Sequence, residues 1–333
     1  MDTFRLILQA EPGNIVAHHN LGTVLVAVGQ ADVAVQHLKV AFAGSPGNQV
    51  VWENYINALL TAKRAGEAYS TLDEGLQKWR FSGPNVLVYL ARCLAGRQAA
   101  TADRRMPIPL ADVPDADFYR ILVQAWPYSM SSTFGFVDSF HALYQGIGYV
   151  VARGIPGAFV ECGTYLGGMS LLAALTFLKH GDTSRHLYLF DTFEGMPPPT
   201  AEDGPMMASA YDTNTQAGRT WAKADVESVR ALMTSSGYPP EKIHLVKGMV
   251  EATIPAQAPE RIAILRLDTD YYGSTKHELV HLYPRLSQGG YVIFDDYGLF
   301  PGAQKAVDEY FATDAEPILL NRINFTLRAG LKM

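Results

Sequence analysis

Five apolar runs of strand length, each ending abruptly in glycine or charge, constrain this chain more than any other feature. Ala158–Cys162 runs into Gly163, Leu187–Phe190 into Asp191, and Ile243–Val246 into Lys247-Gly248. Ile264–Leu267 ends in Asp268-Thr269-Asp270, and Tyr291–Phe294 ends in Asp295-Asp296. A helical stretch, Leu171 to Leu178, follows the first run, and alternation of this kind specifies an α/β fold with a parallel, doubly wound sheet. Ligands of such sheets bind at the carboxyl ends of the strands, where these acids fall. A single Asp after a strand commonly caps a helix or makes a turn. Four at two strand ends, with Asp295 and Asp296 adjacent, are easiest to justify around a hard divalent cation.

The first turn reads Glu161-Cys162-Gly163-Thr164-Tyr165-Leu166-Gly167-Gly168-Met169-Ser170. Glycines there let backbone approach a ligand, and the helix that follows points its N-terminal amides at it. The spacing Glu-x-Gly-x-x-x-Gly-Gly differs from the Gly-x-Gly-x-x-Gly of dinucleotide binders. Asp191, closing the second strand, is placed to accept the hydroxyls of a ribose, which a nicotinamide enzyme would also require.

The N-terminal part carries a different pattern. Pro12-Gly13-Asn14 recurs as Pro46-Gly47-Asn48, a shift of 34 residues, and the same shift superposes Leu21 on Tyr55, Leu25 on Leu59, Ala34 on Ala68 and Leu38 on Leu72. These units resemble tetratricopeptide repeats, antiparallel helix pairs whose small residues allow close packing. A third, degraded unit is expected from Pro84 to Arg97, because two alone leave an apolar end uncovered. A proline-punctuated joint at Arg104–Pro109 and Pro114 sets the expected boundary: residues 1–105 all-helical, residues 106–333 the α/β domain. The repeats are expected to dock a partner, cap the second domain or build a homo-oligomer.

A net charge of −6 without a basic run argues against nucleic-acid and anionic-membrane partners. Only Cys93 and Cys162 occur, far apart, so neither a disulfide framework nor a thiolate zinc site is expected. With no basic-then-apolar leader and no membrane-length apolar run, the expectation is a cytoplasmic protein.

Taken in order, the motifs resemble a class I S-adenosylmethionine-dependent methyltransferase with a Rossmann-like sheet, and more narrowly the TylF/MycF, or macrocin O-methyltransferase, family. They are Tyr128–Ser132, Pro156–Gly163, Gly167-Gly168, Asp191–Pro197, Leu245–Gly248, Leu265–Thr275 and Gly289–Gly298, covering the chain from about Phe118 onward. The resemblance implies that Glu161, Gly163 and Tyr165 line the methionine end of S-adenosylmethionine and that Gly168 and Ser170 also bind the cofactor. It implies that Asp191 holds the ribose, that Phe193 and Gly248 flank the adenosine, and that Met130 and Ser131 close over the cofactor. Tyr165-Leu166 and Thr269-Asp270-Tyr271-Tyr272 depart from the common family pattern and are expected to tune the pocket.

The reaction so implied is methylation of a sugar hydroxyl of a small-molecule glycosylated natural product or of a surface glycan. Mg²⁺ held by Asp268, Asp295 and Asp296 would stabilise the oxyanion, with Asp270, or alternatively Asp268, as the base. His277 and His281 have metal-pair spacing but read as surface or capping residues. The long insertion between Asp191 and Ile243, with Pro197–Pro199, Gly204, Tyr211 and Trp221, is expected to bind the acceptor. The alternatives are a catechol or phenol O-methyltransferase, a non-catalytic repeat scaffold with a degenerate methyltransferase fold, and an NAD-dependent dehydrogenase.

Overall fold

A computed structural model describes residues 1–79, 113, 115–129, 136–313 and 316–333. The chain forms two compact units, Met1–Val123 and Gln124–Met333. The division falls later than the proline joint, and that joint and the third helical unit lie outside the described residues except for Val113.

The first unit contains helices α1 (Asp2–Ala10), α2 (Ile15–Ala27), α3 (Ala31–Gly44), α4 (Gln49–Thr61), α5 (Ala65–Lys78) and α6 (Ala116–Ala125), the last reaching two residues past the division. Helices α2 and α4 start 34 residues apart, as do α3 and α5. The start is fixed each time by asparagine: the Asn14 side chain accepts from Ala17 N, and Asn48 accepts from Val50 N and Val51 N. Each satisfies an amide that the first turn leaves orphaned. Leu21, Leu25, Leu38, Tyr55, Leu59 and Leu72 are all buried. Ala34 and Ala68 have no exposure, so the residues that superpose by sequence share one environment.

The second unit is built on a seven-stranded sheet of order β3-β2-β1-β4-β5-β7-β6. Its strands are β1 (Ala158–Cys162), β2 (Leu187–Asp191), β3 (Ile243–Lys247), β4 (Ile262–Leu267), β5 (Leu286–Phe294), β6 (Asn321–Arg322) and β7 (Arg328–Leu331). Strands β1 to β5 are parallel and β7 returns antiparallel to β5. The order reverses between β1 and β4, which opens the crevice where doubly wound sheets bind ligands.

Side chains alternate across the sheet. Val160, Cys162, Leu265, Leu267, Val292 and Phe294 enter one core with helices α11 (Val250–Thr253), α12 (Tyr272–Leu282) and α13 (Pro301–Thr313). The other face takes α7 (Val137–Ala152), packed on α8 (Gly168–Lys179) and on β4 and β5. Helices α9 (Gly204–Gln216) and α10 (Val226–Ser235) lie in the insertion after β2. Among the described residues no helix is long and apolar enough to cross a membrane.

Candidate active site

Strand β4 is buried at all six positions although it reads Ile-Ala-Ile-Leu-Arg-Leu. The exception, Arg266, retains only 2 % exposure. Register explains how it is tolerated. Glu161 of β1 pairs directly with Arg266, so both side chains leave the same face of the sheet. Asp268, two residues on, and Asp295, two after the Ile293 that also pairs with Arg266, continue that face beyond the strand ends. The guanidinium donates from Nη1 to Glu161 Oε1 at 2.8 Å, and Nη2 lies 2.8 Å from Asp268 Oδ2 and 2.5 Å from Asp295 Oδ2. Ser170 at the start of α8 donates to the other Glu161 oxygen. A buried charge persists only when paired and hydrogen-bonded in this way. Burial works against the charge on Arg266, but Asp268, Asp295 and Glu161 outweigh it and hold the group protonated. Burial raises Glu161 despite Arg266.

One cavity of about 340 Å³ opens above this ion cluster, at the carboxyl ends of the strands. Gly163, Tyr165, Gly168, Asp191 and Gly248 line one part of it, and Asp268, Asp270, Asp295 and Asp296 another. Asp191 is preorganised: its two oxygens accept from Tyr165 N and Phe193 N, each at 2.7 Å. Burial nevertheless raises its pKa above the ordinary carboxylate value. Tyr165 and Phe193 both hold positive φ, +50° and +53°, a conformation unfavourable for side chains of their size. Their amides are thereby aimed at one carboxylate. Gly163, at φ +87°, lies so close to β4 that a Cβ would sit 1.9 Å from the Asp268 carbonyl oxygen. Gly163→Ala should therefore lower unfolding stability by about 2–4 kcal/mol, measured by urea denaturation. A loss under about 0.5 kcal/mol would show that the β1 and β4 ends move apart freely.

The acids gather more tightly than their sequence order suggests. Oxygens of Asp268, Asp270 and Asp296 lie within 4.8 Å of one another. Asp270, at φ +65°, occupies the centre of a three-residue turn closed by Tyr271 N to Thr269 O at 2.7 Å. Oδ2 of Asp296 is buried without a hydrogen-bond partner. Burial, then repulsion among the acids, raises Asp268 and Asp296 well above the ordinary range; burial brings Asp270 up to about 7. Five carboxylates against one guanidinium, with an orphaned oxygen among them, fit an all-oxygen site for a hard cation.

Expected and observed placements differ in several ways. Glu161, expected at the methionine end, lies behind the cavity wall with no exposure, and Ser170 and Phe193 are also buried outside the lining. Asp295, expected as a metal ligand, lines the cavity but commits Oδ2 to Arg266, whereas Asp270, expected as base, joins the close triad. Met130 and Ser131 lie outside the described residues. His277 bonds to the Ile254 carbonyl, its ring 4.4 Å from that of His281, and neither lines the cavity. From the insertion, Pro197, Pro198 and Trp221 line the cavity, while Gly204 and Tyr211 do not. Sequence reasoning assigned no role to Arg266 or Asp203. A charge inside a strand-length apolar run was the available signal for the first.

Residues 102–326 match the macrocin-O-methyltransferase (TylF) family. The chain is 34% identical over 197 residues to the 8-demethyl-8-(2,3-dimethoxy-alpha-L-rhamnosyl)-tetracenomycin-C 4'-O-methyltransferase of Streptomyces olivaceus, covering 59% of this chain and 73% of that protein. It is 31% identical over 187 residues to the demethyldecarbamoylnovobiocin O-methyltransferase of Streptomyces niveus, covering 56% and 70% respectively. Among solved structures it resembles the O-methyltransferase NovP with a TM-score of 0.55 and 28% identity, covering 62% of this chain and 82% of that one.

Proposed function

This chain belongs to the macrocin-O-methyltransferase family and is a methyltransferase; from that premise we propose that it methylates a hydroxyl of a sugar or glycosylated natural product, using S-adenosylmethionine and Mg²⁺. The carrying observation is one cavity shared by a ribose-type acid and a cluster of strand-end carboxylates. The relatives, named for methylating rhamnosyl-tetracenomycin, novobiocin and mycinamicin compounds, support the acceptor class.

In this reading the Gly163–Gly168 turn and Asp191 would hold S-adenosylmethionine, Asp191 offering ribose hydroxyls the lone pairs left free by the two backbone amides. The cofactor supplies an electrophilic methyl group. Mg²⁺ would be held by Asp268 and Asp296, with Asp295 contributing the oxygen not bonded to Arg266, and would supply Lewis-acid stabilisation of an alkoxide. Arg266 fixes Asp268 and Asp295 from behind, so they need not reorganise when charge develops. Asp270, raised to about 7 chiefly by burial, is matched to take the acceptor's proton near neutral pH. The close triad favours a second arrangement, with Asp270 as third ligand. Asp270→Asn separates the two: lost Mg²⁺ affinity makes it a ligand, and lost turnover with Mg²⁺ affinity kept makes it the base.

The function is tested by calorimetric titration with S-adenosylmethionine, then turnover on the three acceptors named above with Mg²⁺ or chelator. No heat with S-adenosylmethionine, or equal turnover in chelator, would sink the reading. A pH dependence follows as well. Carboxyls raised in the folded state above their unfolded value bind extra protons when folded, so stability falls as pH rises from about 4 toward about 7. In chelator the melting temperature should drop between about pH 5.5 and about pH 8, and Mg²⁺ should restore most at the higher pH. A melting temperature that is flat over this window and indifferent to Mg²⁺ contradicts the site.

A further inference from the structure

The insertion after β2 and the acid turn after β4 are joined by a buried carboxylate and by a tyrosine hydroxyl. Asp203 is 1 % exposed. Its Oδ2 accepts from Thr200 N at 2.7 Å and Thr200 Oγ1 at 2.8 Å, closing the short turn that opens α9. Its Oδ1 accepts from Tyr272 N at 2.7 Å, the first amide of α12, directly after the Thr269–Tyr271 turn that carries Asp270. The side chain of Tyr271 reaches back in the opposite direction, donating from its hydroxyl to Pro197 O at 2.8 Å. The start of α13 closes on the same carboxylate: a Cβ on Gly302 would stand 2.8 Å from Asp203 Oδ1. Lys305 of α13 pairs with the neighbouring Glu202.

We propose that Asp203 is a positioning residue that locks the acceptor segment to the acid turn, so that the wall at Pro197–Asp203 and the placement of Asp270 are set together. The claim rests on the methyl-transfer reading for what the cavity binds, but its geometry does not. A carboxylate at a helix N-terminus is favourable through the free amides and the helix dipole. Here the helix is α12 and the carboxylate comes from 69 residues earlier, so a local capping device becomes a tertiary link. The turn it secures needs securing. A non-glycine residue at φ +65° persists only where the surroundings hold it, and Asp203 sits on its C-terminal side while Thr269 donates to Glu278 on the other. An acceptor pressing on the Pro197–Asp203 wall therefore acts on the same carboxylate that fixes the start of α12.

The test compares the full chain with Asp203→Ala, Asp203→Asn and Tyr271→Phe. The readouts are hydrogen exchange, calorimetric titration with Mg²⁺ alone and titration with S-adenosylhomocysteine. Asp203→Ala should speed exchange in residues 197–216 and in the first turn of α12 together. It should weaken Mg²⁺ by about tenfold and leave S-adenosylhomocysteine within about twofold. Asparagine keeps an oxygen for Tyr272 N and should recover most of the Mg²⁺ affinity. Tyr271→Phe should shift both segments in the same direction by a smaller amount, which preserves the test should Asp203→Ala fail to fold. Faster exchange confined to residues 197–216, with α12 and Mg²⁺ affinity unchanged, overturns the proposal and leaves Asp203 as a cap of its own turn. A wild-type chain that binds neither S-adenosylhomocysteine nor Mg²⁺ would refute the proposed function instead, while the exchange result still decides the link.

Discussion

Asp296→Asn is expected to lower turnover by about 10²–10³-fold while leaving S-adenosylhomocysteine affinity within a few-fold. Asp296 brings a buried, unpartnered oxygen to the triad with Asp268 and Asp270, and Asp191 and the glycine turn are separate residues. The amide keeps the shape and removes the charge that a divalent cation requires. Stability should move the other way. Burial and the neighbouring acids already raise Asp268 and Asp296, so without metal the substitution removes repulsion and should stabilise the chelated protein by about 1–2 kcal/mol. Turnover assays and urea melts in chelator measure the two effects. Full activity in Asp296→Asn would remove the acid cluster from the mechanism. A destabilised chelated variant would show that the carboxylate has a structural partner.

Arg266→Met is the larger structural change, with an expected loss of about 3–5 kcal/mol near pH 8. Methionine fills similar volume but leaves Glu161, Asp268 and Asp295 facing one another without the guanidinium that touches all three. The loss should shrink toward pH 5. Glu161 is fully buried and already raised by burial, so without Arg266 it takes up a proton on folding, and that uptake costs less as pH falls. Glu161→Gln added to Arg266→Met should recover part of the loss by removing one stranded charge. Urea denaturation at the two pH values checks this. A loss below about 1 kcal/mol near pH 8, or one that grows on acidification, would show that water or a rearranged sheet neutralises the acids.

Much of the second unit was legible because its signals are local. An apolar run of five or six residues, a glycine turn and a helical stretch each report on their own backbone, and their alternation suffices for a parallel sheet. The 34-residue shift was legible for the same reason, since Asn14 and Asn48 each cap the helix they precede. The family resemblance implied that Glu161 contacts the cofactor. Its side chain instead faces Arg266, 105 residues away in sequence, and that depends on the register of β1 against β4. Asp295 and Asp296 looked equivalent as neighbours. Alternation across the sheet gives one of them to Arg266 and leaves the other with an unpartnered oxygen.

The sequence by itself determined that acids stand at the carboxyl edge of a doubly wound sheet beside a glycine turn, because strand length, turn chemistry and order along the chain are written in short segments. Only the tertiary structure decided which acids bind Arg266, which gather into a triad, and that Asp203 caps a helix beginning at Tyr272. The most distant of those partnerships join residues 29, 69 and 105 positions apart. Electrostatic pairing depends on distance and burial in space, which no local pattern specifies.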